Sequence, residues 1–93
     1  MCTVKRTSAF KRDYKREKKG KHRNTLDDAL RETLVYLLRD QALPLKYYDH
    51  LMRGIWHDCR NCHVKPDLVL LYRKPDANAL HLVRLGSHAE LGT

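Results

Sequence analysis

Residues 59–67, Cys59-Arg60-Asn61-Cys62-His63-Val64-Lys65-Pro66-Asp67, carry side chains for two incompatible chemistries. Cys59 to His63 spell C-x-x-C-H, the pattern that attaches a c-type haem. His63 to Asp67 instead predict the end of one strand, a proline turn and the start of the next strand. In such a hairpin we expect the Asp67 carboxylate to accept the imidazole N–H of His63 and to fix its tautomer. That arrangement suits acid–base catalysis.

The cofactor interpretations of the cysteines are the weaker ones. Haem attachment needs an exported chain and a second axial ligand, and the N-terminal sequence lacks the apolar run of a signal peptide. Structural zinc sites usually use two close ligand pairs, whereas Cys2 lies far along the chain from Cys59 and Cys62. We therefore expect no haem, no zinc and no other cofactor, and reduced cysteines without a disulfide.

Two more histidines are candidates for the same chemistry. His50 follows Asp49, and His88 lies in an S-x-x-E capping box after the last predicted strand. If the fold brings both to His63, a base for the ribose 2′-hydroxyl and an acid for the leaving 5′-oxygen are available without a metal. Arg60 and Arg84 are candidates to stabilise the phosphorane charge. A strand-end histidine is, however, more often structural than catalytic, and that alternative stays open.

The positive charge is concentrated at the start of the chain. Residues 1–24 hold ten Lys or Arg and two acidic residues, which accounts for the whole net charge of +8. Such a block favours a polyanion such as RNA through counterion release, although a solvated helix face is an equally reasonable interpretation. The predicted RNA-binding lysines of this block are Lys11, Lys15, Lys18, Lys19 and Lys21. Tyr47-Tyr48 is another ambiguous feature, suited either to stacking on bases or to anchoring its loop.

The pattern of elements predicts an α+β fold, with helices on one face of an antiparallel sheet. A strand at Thr3–Arg6 and a helix capped by Thr7 or Ser8 precede a break at Gly20. One domain, 1–93, divides into a basic segment (1–24), an amphipathic helix capped by Thr25 (25–42) and a three-strand meander (55–86). The meander strands are predicted at Ile55–Val64, Leu68–Tyr72 and Leu80–Leu85, with turns at Pro66-Asp67 and Pro75–Asn78. No segment is long and apolar enough to span a membrane, so we expect a cytoplasmic protein.

An ordered set of motifs over about residues 43–92 resembles the YafQ branch of the RelE-type toxins of type II toxin–antitoxin systems. The set is Leu43-Pro44-Leu45, Asp49-His50, Gly54-x-Trp56, Arg60-x-Cys62-His63-Val64-Lys65-Pro66-Asp67, Leu70-Leu71-Tyr72 and Arg84-Leu85-Gly86-Ser87-His88-x-Glu90-Leu91. The helical half resembles the family in layout and charge. The chain departs from many members at Asn61, where they carry an acidic residue, and at its C-terminal end, which lacks an aromatic residue.

The resemblance implies a ribosome-dependent endoribonuclease (mRNA interferase) that cuts mRNA in the ribosomal A site and so inhibits translation. It implies metal-independent cleavage to a 2′,3′-cyclic phosphate and a 5′-hydroxyl, with His50, His63, Asp67 and His88 as catalytic residues. It also implies a cognate DNA-binding antitoxin that wraps the toxin, and contacts between the basic helices and ribosomal RNA. The alternative is a non-catalytic RNA- or ribosome-binding module of the same fold.

Overall fold

The computed structural model describes residues 3–76 and 78–91. Cys2, the predicted turn residue Ala77 and the C-terminal residues Gly92 and Thr93 lie outside this range. Ten elements follow in chain order: β1 (Thr3–Arg6), α1 (Ser8–Lys18), α2 (Leu26–Leu38), a 3-10 turn (Leu45–Tyr47), β2 (His50–Leu51), a second 3-10 turn (Gly54–Trp56), β3 (Arg60–Lys65), β4 (Leu68–Asp76), β5 (Ala79–Gly86) and α3 (His88–Leu91).

The strands form one mixed sheet in the order β1-β5-β4-β3-β2. β1 is parallel to β5, and the other neighbouring pairs are antiparallel. The predicted α+β class, the strand at Thr3–Arg6 and the meander of β3, β4 and β5 are therefore confirmed. Thr7 caps α1 as expected, because its hydroxyl accepts the Phe10 N–H at 3.0 Å.

Two predicted boundaries are wrong, each because of a local turn. Residues Gly54–Trp56 form a 3-10 turn with Gly54 at φ 70°, so β3 begins at Arg60 and not at Ile55. α2 begins at Leu26 with Thr25 as its N-cap residue, as predicted, but the Thr25 hydroxyl contacts the His22 carbonyl at 3.4 Å and makes no capping hydrogen bond. At the other end α2 stops at Leu38 instead of continuing to residue 42, and Asp40 adopts a left-handed φ of 55°.

The sheet buries residues on both faces. On one face α1 and α2 contribute Phe10, Leu26 and Leu30 to a core that includes Leu70 and Leu80. The opposite face has a smaller cluster of Val69, Leu71 and Leu91, with Met52, Trp56 and Val83 packed against it. All of Leu68–Tyr72 is buried, as its continuous apolar run predicts.

Side chains of α1 replace a missing strand neighbour at the end of β5. β1 pairs with β5 only as far as Leu82. Beyond it, Asp13 accepts the Leu85 N–H at 3.0 Å and Arg16 donates to the Leu85 carbonyl at 2.9 Å. Arg84 donates to the same Asp13 carboxylate at 2.7 and 3.2 Å, and Arg16 donates to it at 3.0 Å. The end of β5 is thus fixed to α1 where its pairing with β1 has ended.

Candidate catalytic site

His63 and His88 meet on the sheet face opposite to α1 and α2. Cys62 and Val64 belong to the core under the helices, so the alternation of a strand directs His63 to the other face. His88 begins α3 immediately after β5. The two Nε2 atoms lie 3.2 Å apart, and the ring centroids lie 4.9 Å apart. At this separation the two imidazoles share one proton far more readily than they hold two.

The position of His88 depends on the capping box predicted from the sequence. Ser87 Oγ accepts the Glu90 N–H at 3.1 Å, and Glu90 Oε1 accepts the Ser87 N–H at 3.0 Å. Glu90 also binds Arg16 at 3.0 Å, which connects α3 to α1. A Cβ at Gly86 would lie 2.8 Å from Nη2 of Arg16, so a larger residue there would displace the guanidinium from its present position. The Arg16 contacts therefore orient the short helix that carries His88.

His50 approaches from the neighbouring edge strand. β2 pairs with β3, and His50 lies opposite Asn61. The Nδ1 atom of His50 is 2.6 Å from the Tyr48 carbonyl. Because a carbonyl only accepts, Nδ1 carries the proton, and Nε2 of the neutral ring holds a lone pair. Asn61 itself is buried, and within the described residues its Oδ1 has no hydrogen-bond partner.

The surroundings of His63 favour its neutral form. Burial lowers the pKa of His63, the positive charge of a protonated His88 or His50 lowers it further, and a main-chain contact with Pro66 acts in the opposite direction. The net effect is a pKa below 6.5, the ordinary value for histidine. His63 is consequently able to accept a proton at neutral pH.

The expected pairing of His63 with Asp67 is wrong. The Asp67 carboxylate forms an ion pair with Lys21 and lies 3.0 Å from Nε2 of His22, both in the loop after α1. The hydrogen bond from Lys21 lowers the pKa of Asp67, with a smaller lowering by His22, and burial opposes both. Asp67 follows the hairpin turn, and its carboxylate binds the loop after α1, whereas His63 points to the opposite face. The imidazole that Asp67 contacts is therefore that of His22.

Arg60 and Arg84, the candidate phosphate ligands, are each paired with a carboxylate. Arg60 donates two hydrogen bonds of 3.2 Å to Asp49, which also accepts the Tyr72 hydroxyl at 2.6 Å. Arg84 binds the buried carboxylate of Asp13. Each guanidinium therefore stabilises the fold, and its charge is already compensated.

The five predicted RNA-binding lysines fall into two groups. Lys18 pairs with Asp27 at 2.9 Å, and Lys21 pairs with Asp67. The other three have no ion pair among the described residues, and they are Lys11, Lys15 and Lys19. Among the five, the charges of these three lysines are not compensated by a neighbouring carboxylate in the described part of the chain.

Tyr47 and Tyr48 have different environments. Tyr47 is buried and belongs to the core. Tyr48 is 68% exposed, and its ring centroid lies 5.3 Å from that of His63. Its backbone adopts a left-handed conformation with φ 49° and ψ 40°. The sequence identified the pair of tyrosines but did not distinguish the anchoring residue from the one beside the site.

The cysteines contribute no chemistry to this site. Cys59 and Cys62 are both buried and free. Burial is the largest cause of a raised thiol pKa at both positions, to about 11 at Cys59. A protonated thiol is a poor nucleophile and a poor ligand. Among residues 3–76 and 78–91, no group of three or more His, Cys, Asp or Glu is arranged to hold a metal ion.

A groove between α1 and α2 lies on the helical side of the molecule and has a volume of ≈ 770 Å³. Its apolar lining includes Phe10, Leu30, Leu34, Val35 and Leu38. Its basic residues are Arg6, Lys11, Lys15 and Arg31, against the single carboxylate of Asp27. Asp27 is itself engaged by Tyr14 and Lys18. The groove is thus complementary to an apolar segment with acidic flanks.

Comparisons with known proteins identify the family and the fold. The sequence model of a family described as "Bacterial toxin of type II toxin-antitoxin system, YafQ" matches residues 2–93. The mRNA interferase toxin YafQ of Escherichia coli strain K12 is 32% identical over 90 residues, which are 95% of this chain and 97% of that protein. The toxin in the crystal structure of the E. coli DinJ-YafQ complex has a TM-score of 0.84 at 29% identity and covers 100% of both chains. A metal-bound toxin from Helicobacter pylori has a TM-score of 0.79 at 38% identity, over 98% of this chain and 99% of that one.

Proposed function

The chain belongs to the YafQ family of toxins of bacterial type II toxin–antitoxin systems, and we propose that it is an mRNA interferase. Its proposed cleavage site is the cluster of His50, His63 and His88 at the edge of the sheet. The observation that supports the site is the 3.2 Å approach of the His63 and His88 Nε2 atoms. We further propose that the cleaved mRNA is in the A site of the ribosome.

The proposed reaction is an attack of the ribose 2′-hydroxyl on the adjacent phosphate. The base removes the 2′ proton, the new O2′–P bond forms, and the P–O5′ bond breaks as the acid protonates the leaving oxygen. The products are a 2′,3′-cyclic phosphate and a 5′-hydroxyl. No oxidant, cofactor or metal enters this balance.

Attacking and leaving oxygens lie in line on opposite sides of the phosphorus. Two imidazole nitrogens in contact cannot reach both sides at once, so we assign the His63–His88 pair to one side and His50 to the other. His63 is the member of the pair suited to act as base, because its lowered pKa keeps it neutral. His50, with Nδ1 fixed by the Tyr48 carbonyl, presents Nε2 as the second proton-transfer atom.

We propose a supporting role for Asp67 in place of a direct bond to His63. Its carboxylate holds Lys21 and His22 beside the β3–β4 hairpin. Lys21 is exposed, so its ammonium group is able to contact an RNA phosphate next to the hairpin. Lys11, Lys15 and Lys19 extend this basic surface along α1 for contacts with ribosomal RNA.

The relative in the DinJ-YafQ complex is bound to DinJ, and we propose that a cognate, DNA-binding antitoxin neutralises this chain in the same way. The groove between α1 and α2 is the proposed docking surface for part of that antitoxin. Exposed Val35 and Leu38 on its wall favour an apolar partner, and its basic residues favour an acidic one.

The Helicobacter pylori relative is metal-bound, but we propose that cleavage by this chain needs no metal, since the histidines supply both proton-transfer groups. The facing Nε2 atoms of His63 and His88 could nevertheless bind one transition-metal ion such as Cu²⁺. The ion would then occupy the Nε2 lone pair with which His63 accepts the proton. Such an ion is expected to inhibit cleavage.

None of the described helices is long and apolar enough to cross a membrane. We propose that the protein acts in the cytoplasm, where its mRNA substrate is translated. The second candidate function is ribosome binding without cleavage, which the pairing of Arg60 with Asp49 and of Arg84 with Asp13 favours, because each carboxylate reduces the net positive charge that would stabilise a phosphorane.

A substrate that lacks the attacking group separates these functions. Ribosomes are programmed with mRNA in which the nucleotides of the A-site codon carry a 2′-hydroxyl or a 2′-hydrogen. The proposal predicts cleavage of the ribose codon only, with a cyclic phosphate at the new 3′ end. Equal cleavage of both codons would exclude attack by the 2′-hydroxyl, and binding without cleavage of the ribose codon would favour the binding module.

A further inference from the structure

Tyr48 combines three features that the proposed cleavage chemistry does not require. Its side chain is aromatic and 68% exposed. Its ring is tilted by 56° against the ring of His63, with the centroids 5.3 Å apart. Its left-handed backbone is unfavourable for a bulky residue. An exposed aromatic side chain held in a strained conformation beside reactive groups indicates a binding role.

We propose that the Tyr48 ring is a nucleobase-binding site, which stacks on a base of the A-site codon next to the cleaved phosphate. This inference rests on the proposed function, because it places the base beside the histidines that would cleave the RNA. Single-stranded RNA is commonly bound by the stacking of unpaired bases on aromatic side chains.

The main chain and the side chain of Tyr48 have separate tasks in this proposal. Its carbonyl binds Nδ1 of His50 at 2.6 Å and sets the tautomer of that ring. Its side chain lies over His63 and is otherwise open to a ligand. A substitution of the side chain therefore removes the stacking surface but keeps the atom that orients His50. This separation makes the proposal testable.

The other exposed large apolar side chains within the described residues are aliphatic: Val4, Val35, Leu38, Leu45, Leu51 and Ile55. Ile55 is 87% exposed, lies in the same stretch between α2 and β3, and has no ring to stack on a base. Its replacement is a matched control for the loss of exposed apolar surface.

The test uses the full chain with ribosomes that carry 2-aminopurine at each A-site codon position in turn. The codon is built from 2′-deoxynucleotides, so that it cannot be cleaved and its fluorescence reports only binding and stacking. Tyr48→Phe keeps the aromatic face, Tyr48→Leu keeps apolar bulk without it, and Ile55→Ala is the control. Circular dichroism establishes that each variant is folded, and steady-state cleavage of a ribose codon gives KM and kcat.

We expect the unchanged protein, Tyr48→Phe and Ile55→Ala to quench 2-aminopurine at one codon position, and Tyr48→Leu to lose most of that quenching. The loss of one stacked base should raise KM by about 10-fold in Tyr48→Leu, while kcat at saturation stays close to that of the unchanged protein. The proposal is overturned if no codon position is quenched, or if Tyr48→Leu quenches as well as Tyr48→Phe does. Quenching without cleavage of the ribose codon would instead reject the proposed function and retain the base-binding site.

Discussion

Replacement of Asp13 by Asn tests how the fold holds the end of β5, and with it His88, in place. The Asp13 carboxylate is buried and accepts hydrogen bonds from Arg84, Arg16 and the Leu85 N–H at 2.7–3.2 Å. An amide keeps one acceptor oxygen but loses the charge, and its NH₂ group faces guanidinium donors. We therefore expect Asp13→Asn to be less stable and to orient α3 less well.

The size of the effect follows from the burial of each partner. Breaking a fully buried ion pair costs roughly 3–5 kcal/mol. The side chains of Arg84 and Arg16 are 27% and 41% exposed, so both guanidinium groups regain some contact with water in the variant. Asp13→Asn should then lower the free energy of unfolding by about 2–3 kcal/mol, which corresponds to a decrease in Tm of roughly 10–20 °C in a domain of this size.

The same contacts determine how the effect depends on pH. Burial raises the pKa of Asp13, but the hydrogen bonds from Arg84 and Leu85 and the charges of Arg84 and Arg16 together lower it below the ordinary 3.8. Between the folded and unfolded pKa values the unfolded chain binds more protons, so the carboxylate stabilises the fold above the unfolded pKa. The difference in unfolding free energy between the unchanged protein and Asp13→Asn should accordingly shrink as pH falls below about 4.

Urea denaturation at several pH values measures this difference, and Asp28→Asn is the control. Asp28 has an 82% exposed side chain and a 3.5 Å contact with Arg31, so its loss should change stability by less than about 0.5 kcal/mol. Both substitutions remove one negative charge. If Asp13→Asn is as stable as Asp28→Asn at neutral pH, the carboxylate does not hold β5 to α1, and our reasoning about His88 is wrong.

Further predictions concern the partners of the protein and metals. Neutralising the three unpaired lysines (Lys11, Lys15 and Lys19) to Gln should weaken ribosome association and reduce its salt dependence; an unchanged salt slope in a binding titration would contradict their role. Leu38→Glu should place a charge on the wall of the antitoxin groove, so that cells are no longer rescued by the antitoxin while cleavage persists; normal rescue would exclude the groove. Protein treated with EDTA and then dialysed before it is added to ribosomes in Mg²⁺ buffer should cleave at the unchanged rate, and Cu²⁺ should inhibit cleavage; loss of activity after this treatment would reject metal-independent cleavage.

Short-range patterns predicted much of the fold correctly. The buried β4 run, the β3–β4 turn and the reciprocal Ser87–Glu90 cap each depend on residues close together in sequence. The Leu68–Tyr72 run predicted burial because five consecutive apolar residues need cover on both faces. The capping box predicted where α3 begins, and thus the approach of His88 to the sheet.

Contacts between distant residues could not be predicted in this way. Asp13 and Arg84 are 71 residues apart, and no spacing rule connects them. Asp67 binds Lys21 and His22 because the loop after α1 passes beside the hairpin, and that path depends on the packing of both helices. Tyr47 is buried and Tyr48 is exposed because the backbone turns left-handed at Tyr48, at the end of a 3-10 turn. The identity of the two residues does not reveal this turn.

The most direct test of the His63–His88 pair as the reactive centre is the cleavage of ribosome-bound mRNA by His63→Ala and His88→Ala, with His57→Ala as the control. His57 is exposed, and its ring contacts the Gly54 carbonyl at 3.2 Å. We predict that both site variants still bind ribosomes but cleave at least about 100-fold more slowly, the usual loss when an acid or base is removed, and that His57→Ala cleaves normally. Cleavage at the unchanged rate by both His63→Ala and His88→Ala would contradict the assignment of this histidine pair as the reactive centre.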